Sequence, residues 1–279
     1  MTVFTKTRRR VGRGVRLSNA FMAMDVREEL NYPLSFAMSG ISSLVPVVTF
    51  YFVATFVGPQ GQNVGGDYYT FVVIGLIGMS VLSAGLQTLS GRLATTINQG
   101  RLEMLLSEPI RWRVLPFLLV QWPVVLAFAS GTIIFLGSLL LGAHYRLAGL
   151  PTALVILVLG LMATFSVGVV NASLKVLSKR ADPILAIYGV AASILSGTFY
   201  SVEVLPSWLK PLAYLIPHTY VLQALRRVWM PAGGELPGPS ALAASFALII
   251  FTLVLFPIGI WLYGRAFEYG RRTGLLSGY

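Results

Sequence analysis

The side chains best suited to bind another protein lie in one short segment of the chain, residues 99–113. Its five charged residues are Arg101, Glu103, Glu108, Arg111 and Arg113. The stretches on either side, residues 68–91 and 114–144, contain no Asp, Glu, Lys or Arg and are each long enough to cross a bilayer. Leu102, Leu105 and Leu106 recur at helical spacing away from the charges, and a proline at 109 ends the pattern. The spacing predicts a small amphipathic helix at 99–109 that docks against another component.

Groups that could catalyse a reaction are few and poorly placed for it. His144 and His218, the only histidines, belong to no HExxH motif and have no carboxylates nearby at ligand spacing. Ser196-Gly197 is similar to the serine site of an intramembrane protease, but no histidine within a span is available to activate it. The chain has no cysteine, which excludes disulfides and thiolate metal sites. We therefore expect no catalytic residue and no metal site.

Nothing in the sequence supplies energy for transport. None of the four lysines follows a glycine, so the GxxxxGK[ST] loop that cradles nucleotide phosphates is absent. Ion-coupled carriers retain acidic groups inside their spans, whereas all ten acidic residues here fall in loops or at the ends of apolar stretches. Neither ATP binding by a P-loop nor a proton or sodium relay is expected in this chain.

Composition places these segments in a membrane. The chain is 56% hydrophobic and 11% charged, and its mean hydropathy is +0.76, which is typical of polytopic membrane proteins. A bilayer core of ~30 Å needs ~20 apolar residues per helix. The uncharged windows of about that length are Leu34–Val57, Tyr68–Gly91, Val114–Gly142, Leu147–Leu174, Ile184–Val202 and Ser240–Gly264. They predict an all-α membrane protein of six transmembrane helices in one domain, residues 1–279.

The distribution of basic residues predicts the orientation. Of the 21 Lys and Arg residues, 17 fall before the first window, in the two loops that share its side, or after the last window. By the positive-inside rule, we expect both termini to lie in the cytoplasm. The basic termini are interpreted as contacts with anionic lipids and not with nucleic acid. This orientation places both histidines at the outer surface.

Two further segments are expected at the membrane surfaces. Residues 17–31 put Leu17, Phe21 and Met24 on one face, which predicts an amphipathic helix in the cytoplasmic interface. Residues 203–227 are apolar but contain three prolines, each of which interrupts a helix. The prolines predict short broken helices that dip into the outer leaflet and return, packed against protein.

Polar and aromatic residues within the spans leave two interpretations open. The polar residues are Gln87, Gln121, Thr164, Ser166 and Asn171, and they either line a lumen or, as we favour, join helices by hydrogen bonds. The aromatic residues are Phe50, Tyr51, Phe52, Phe199 and Tyr200. They suit an amphipathic substrate or, as favoured here, an interfacial aromatic belt. Gly75, Gly78 and Gly85 are expected to allow close helix approach.

The charged segment resembles the cytoplasmic loop motif of ABC-2 type permeases. The matching residues are Gly100, Arg101, Leu102, Glu103, Met104, Leu105 and Leu106, followed by Glu108 and Pro109. In that family a glycine, a Leu-Glu pair, a Leu-Leu pair and a proline recur in this loop. The resemblance implies that 99–109 is the coupling helix, which inserts into a cleft of an ATPase subunit.

A second stretch is similar to the C-terminal signature of the same family. It comprises Ser196-Gly197 with Phe199 and Tyr200, then Pro206-Ser207-Trp208-Leu209, then Pro217-His218-Thr219, and ends at Leu225-Arg226-Arg227. The family signature is a Ser-Gly before a Pro-x-Trp-Leu and a later Pro-x-Thr. The resemblance implies re-entrant outer helices, with a gate at Gly197, Phe199, Tyr200, Pro206, Trp208 and Pro217.

The resemblance implies the transmembrane subunit of an ABC exporter in the cytoplasmic membrane of a bacterium. Its partners would be two copies of an ABC ATPase, which bind ATP and Mg, and a second permease chain, either identical or a close paralogue. The expected cargo is an amphipathic drug, lipid or glycolipid. The alternatives are a polysaccharide or lipid-linked glycan exporter and, from another class, a channel or facilitator without a motor.

Overall fold

A computed structural model of the chain describes residues 2–57, 67–98, 114–177, 182–231 and 238–273, which form helices and turns without a strand. The helices are α1 (Thr2–Leu30), α2 (Pro33–Val57), α3 (Tyr68–Asn98), α4 (Leu115–Leu140), α5 (Leu150–Leu177), α6 (Asp182–Leu195), α7 (Lys210–Tyr214), α8 (Pro217–Trp229) and α9 (Ala241–Thr273). Short 3₁₀ turns lie at Leu147–Gly149 and Val202–Val204. The predicted all-α fold is confirmed for these residues.

Five helices in the described residues are long and apolar enough to cross a membrane. They are α2, α3, α4, α5 with its preceding turn, and α9, and each overlaps one of the predicted windows. The remaining window, the fifth along the chain at 184–202, holds α6, which has 14 residues and ends at Leu195. At 1.5 Å per residue α6 is about 21 Å long, which is less than the bilayer core. A sixth crossing therefore needs more than this helix.

Helix α3 forms the centre of the bundle. It packs against α2, α4, α5 and α8, while α9 packs against α5 and α8. One cluster of buried apolar side chains includes Ile74, Leu82, Ile156, Leu225 and Leu248. A second cluster includes Leu89, Leu93, Leu119, Val169 and Tyr263. The first cluster, which includes Leu225 of α8, lies toward the beginning of α3, and we call this end of the bundle the α8 end. The second cluster, against which Phe21 of α1 packs, lies toward the end of α3, and we call this end the α1 end.

Glycine allows the central helices to approach each other closely. A Cβ built on Gly85 would lie 2.9 Å from the carbonyl oxygen of Leu161, and one on Gly168 would lie 2.5 Å from the carbonyl oxygen of Gly85. Lipid is as apolar as leucine, so helices in a membrane associate through such close packing and not through a hydrophobic effect. The close approach predicted at Gly75, Gly78 and Gly85 is present at all three.

Helix α1 is longer than the predicted interfacial helix. It has 29 residues and begins at Thr2, whereas the sequence pattern placed its start at Leu17. No proline interrupts residues 2–16, and the basic residues there are good helix formers although they contribute no apolar face. The helix ends at Leu30 because Pro33 opens α2 and disfavours helix just before it.

Candidate functional site

A buried arginine organises the α8 end of the bundle. Arg226 is 3% exposed and donates hydrogen bonds to three main-chain carbonyls. Its Nε lies 3.2 Å from the oxygen of Phe71, its Nη1 2.7 Å from that of Gly197, and its Nη2 2.7 Å from that of Thr198. The guanidinium carbon also lies 3.5 Å from the centroid of the Phe71 ring. One side chain of α8 thus joins α3 to the turn after α6.

The environment keeps this guanidinium charged despite its burial. Burial lowers the pKa of Arg226 to about 9, which is still above neutral pH. Carbonyl oxygens and the face of an aromatic ring replace the water that the cation has lost. Removing any one of these partners would leave N–H donors unpaired in a site that solvent does not reach.

The turn that Arg226 holds begins where α6 ends. Gly197 has φ +74°, a left-handed conformation that glycine adopts without strain. A Cβ at this position would lie 2.8 Å from the oxygen of Tyr200. The buried hydroxyls of Ser196 and Thr198 lie 3.1 Å apart and bond to each other. These contacts end the helix before the predicted limit of the fifth window, Val202.

The same turn sits directly against α3. A Cβ built on Gly75 would lie 2.5 Å from the oxygen of Thr198 and 3.0 Å from Nη2 of Arg226. No side chain fits between α3 and the turn without displacing one of them. Glycine at position 75 is therefore a condition for the arginine contacts.

Aromatic residues extend this contact to α2. Phe199 is 37% exposed and stacks on Phe50 of α2, with ring centroids 5.0 Å apart and an interplanar angle of 14°. The hydroxyl of Tyr68 donates to the Phe199 oxygen at 3.4 Å, and that of Tyr200 donates to the oxygen of Ile194. Two of the predicted gate residues, Phe199 and Tyr200, thus lie in the turn that Arg226 holds.

The remaining predicted gate residues have different environments. Pro217 is buried at the first turn of α8, where a missing N–H costs nothing. Pro206 is exposed, and its oxygen accepts a hydrogen bond from the Leu209 N–H at 2.9 Å. Trp208 is 70% exposed. The structure brings Gly197, Phe199 and Tyr200 together, while Pro206 and Trp208 lie on an exposed surface.

His218 does not lie at the surface, contrary to the sequence-based expectation. It is 1% exposed, and burial lowers its pKa to about 4. Within the part of the chain that the structure describes, its Nδ1 has no hydrogen-bond partner. The ring of Tyr188 lies 6.0 Å away between centroids. The surface interpretation failed because α8 packs against α5 and α9, a contact that the sequence does not reveal.

The role of Arg226 was missed in the sequence. This residue was counted toward topology and as the end of the family signature, without a structural role of its own. A signal was present nonetheless, because Arg226 recurs at helical spacing with Leu222, Leu225 and Trp229 on the apolar face of α8. An arginine in such a position must face protein or water.

Polar contacts also hold α1 at the other end of the bundle. Asp25, which is 4% exposed, accepts a hydrogen bond from Nη1 of Arg92 on α3 at 2.7 Å. The hydroxyl of Ser18 donates to Oε1 of Gln121 on α4 at 2.6 Å. Phe21 packs against the apolar cluster at this end.

The polar span residues favour helix-to-helix bonding over a lumen at two positions. Gln121 bonds to α1, and Nδ2 of Asn171 donates to Ser90 of α3 at 2.8 Å. Thr164 and Ser166 donate to carbonyls of their own helix. Gln87 is exposed on α3.

The predicted coupling helix lies outside the described residues. Its residues are Arg101, Leu102, Glu103, Met104, Leu105, Leu106, Glu108 and Pro109. The structure describes α3 up to Asn98 and α4 from Leu115. The segment thus connects α3 to α4, and these two helices pack against each other. The conformation of the segment stays a prediction.

Together, the apolar helices and the polar contacts at both ends define a multi-pass membrane protein. A sequence profile of the ABC-2 type transporter family matches residues 25–230, and the chain belongs to this family. The match includes both the charged segment and the turn that Arg226 holds. No curated protein sequence matches the chain. Membership makes the chain a membrane component of an ABC transporter, and it implies an ABC ATPase as partner.

Proposed function

We propose that this chain is the transmembrane subunit of an ATP-driven exporter for an amphipathic drug-like, lipid or glycolipid molecule. ATP and Mg would be bound by a separate ABC ATPase, present in two copies. The family match over residues 25–230 is the observation that carries this proposal. The given sequence contains no P-loop, and we accordingly assign the motor to a separate chain.

The course of α3 supports a route for coupling. The helix continues without a break from Tyr68 to Asn98, where the charged segment begins. From Phe71 to Arg92 it covers about 31 Å, close to the thickness of the bilayer core. A displacement of the segment by an ATPase would move α3 as a unit. Phe71 and the Arg226 contacts would then carry that displacement to the turn at Gly197.

The proposed topology has six crossings with both termini in the cytoplasm. Helix α6 would enter from the cytoplasmic side and end at Gly197, and α7 and α8 would form the outer re-entrant segment. The prolines that open these two short helices, at positions 211 and 217, support the broken path. A second permease, identical or paralogous, would complete the pathway beside α2, whose only buried residue is Val47.

An amphipathic cargo is supported by the character of the spans. Within the candidate spans that the structure describes, the charged residues Arg92, Lys175, Arg265 and Glu268 all lie near the helix ends. The long uncharged middle suits a molecule that enters from lipid. A glycan exporter would need a wide lumen lined with aromatic residues, whereas Phe50 and Phe199 stack on each other.

Transport in inside-out vesicles tests this function. The chain is co-expressed with an ABC ATPase, and ATP-dependent uptake of a cationic amphipathic dye and of a fluorescent phospholipid is measured. We expect uptake of at least one probe to need ATP and to fall at least tenfold in Glu103→Arg. Glu203→Arg is the control, because it reverses an exposed acid at the α8 end and breaks only a surface ion pair, with Lys210 at 2.7 Å. Flux that is independent of ATP and unchanged in Glu103→Arg would support a channel or facilitator instead.

A further inference from the structure

Helix α1 is bonded to both helices that flank the charged segment. Asp25 pairs with Arg92 of α3 at 2.7 Å, six residues before α3 ends at Asn98. Ser18 bonds to Gln121 of α4 at 2.6 Å, six residues after α4 begins at Leu115. The two bonds therefore hold the two stems of residues 99–113 against a single helix.

These contacts fix α1 in one register. Ser18, Phe21 and Asp25 recur at spacings of three and four, so they share one face of the helix. Asp25 is 4% exposed, and a carboxylate removed from water needs its cationic partner. Gln121 binds Ser18 at two points, because its Nε2 also donates to the Ser18 main-chain oxygen at 3.3 Å. A shift of α1 by one residue would break all of these contacts.

An interfacial anchor does not require such contacts. A helix that only lies on lipid needs an apolar face and basic residues, and it has no reason to bury an acid. Phe21 nevertheless packs against the protein core formed by α3, α4, α5 and α9 instead of facing only lipid. The burial of Asp25 and the packing of Phe21 together assign the C-terminal half of α1 to the helical bundle.

We propose that α1 is a brace for the coupling segment and that Asp25 is its positioning residue. The Asp25–Arg92 pair and the Ser18–Gln121 contact hold α1, α3 and α4 together as one body, which moves as a unit when the ATPase acts on residues 99–113. The joint motion rests on the proposed function, because it assumes that an ATPase acts on residues 99–113. The docking of α1 does not depend on the proposed function.

Cross-linking in the full-length protein tests the brace, because the chain has no cysteine of its own. Ser18→Cys with Gln121→Cys is reconstituted in vesicles of phosphatidylethanolamine and phosphatidylglycerol and treated with a short bifunctional thiosulfonate. We expect rapid cross-linking that slows at least fivefold when Asp25→Asn is added. Exchange of the charges, Asp25→Arg with Arg92→Asp, should restore the rate. Glu28→Gln, an exposed acid on the same helix, is the control.

Hydrolysis of ATP by the cross-linked complex tests the joint motion. If α1 moves with α3 and α4, the linked complex keeps hydrolysis within twofold of the same sample after reduction. A linked complex that is inactive until reduced would show that α1 must separate from α3 and α4, and it would overturn the proposal.

Equal cross-linking rates with and without Asp25→Asn would overturn the role of Asp25. Failure of the unmodified chain to bind any ABC ATPase would instead overturn the proposed function, while the cross-linking rates still decide whether Asp25 docks α1.

Discussion

The chemistry of Arg226 explains why this position holds an arginine. A guanidinium has five N–H donors in a fixed planar fork, and here its three nitrogens reach carbonyls on two separate elements. Its flat face also lies on the ring of Phe71. Lysine has a compact ammonium on a flexible chain, which cannot hold three divergent acceptors and a ring face in the same way.

Replacement of Arg226 should therefore destabilise the α8 end even when the charge is kept. Arg226→Lys should lose at least one charge-assisted hydrogen bond, at a cost of about 2 kcal/mol. The loss should appear as a lower melting temperature in detergent, which is followed by intrinsic tryptophan fluorescence. Arg146→Lys, at an exposed arginine of the same end, should change it little. Equal melting temperatures for the two variants would contradict the role assigned to Arg226.

Two glycines of α3 provide a matched pair for the contact with the turn. A Cβ at Gly75 meets the Thr198 oxygen at 2.5 Å, whereas a Cβ at Gly91 meets nothing within 4 Å. Gly75→Ala should lower the melting temperature because the turn must shift. Gly91→Ala should raise it slightly, since alanine favours a helix by about 1 kcal/mol over glycine. A stabilising Gly75→Ala would show that α3 and the turn are not in contact.

At the scale of helices, the long spans were predictable and the short ones were not. The uncharged windows located α2, α3, α4, α5 and α9, because length and hydropathy alone decide whether a helix can cross a bilayer. The end of α6 depends on Gly197 and on carbonyl contacts with Arg226, which lies 29 residues further along the chain. Single-sequence periodicity does not contain such a contact.

The predictions for the start of α1 and for the exposure of His218 were wrong for related reasons. The amphipathic pattern begins at Leu17, but helix formation continues through the basic residues before it. The orientation given by the basic residues placed His218 at the outer surface, whereas packing by neighbouring helices buries it. Among the predicted site residues, Gly197 was identified by the family motif, and the structure shows it in the turn after α6. The sequence did not reveal that Arg226 donates a hydrogen bond to this turn.

Accessibility of single cysteines tests the proposed topology. Trp208→Cys, on the exposed surface between α6 and α7, should react with a membrane-impermeant maleimide added to intact cells. Asn19→Cys, exposed on α1, should react only after the membrane is opened. This follows from the proposed topology, which puts α1 on the cytoplasmic side and the segment before α8 on the outer side. Labelling of both positions from outside, or of neither, would contradict the six-crossing topology.

At the scale of the whole molecule, the bundle has a polar contact at each end and a single helix that connects them. Asp25–Arg92 holds the α1 end of α3, and Arg226 holds the α8 end. The segment at 99–113 emerges from the α1 end. The chain thus has a charged segment at one end of its central helix and a turn held by a buried arginine at the other.

Binding of an ABC ATPase to the segment tests this design most directly. The affinity of the ATPase for the chain in lipid nanodiscs is measured for the unmodified protein, for Glu103→Arg and for the control Glu203→Arg. Loss of one charged contact and introduction of a like charge at a docking surface should weaken binding at least tenfold. We expect that loss in Glu103→Arg alone. Equal affinity in all three proteins, or no binding to any of them, would contradict docking at residues 99–113.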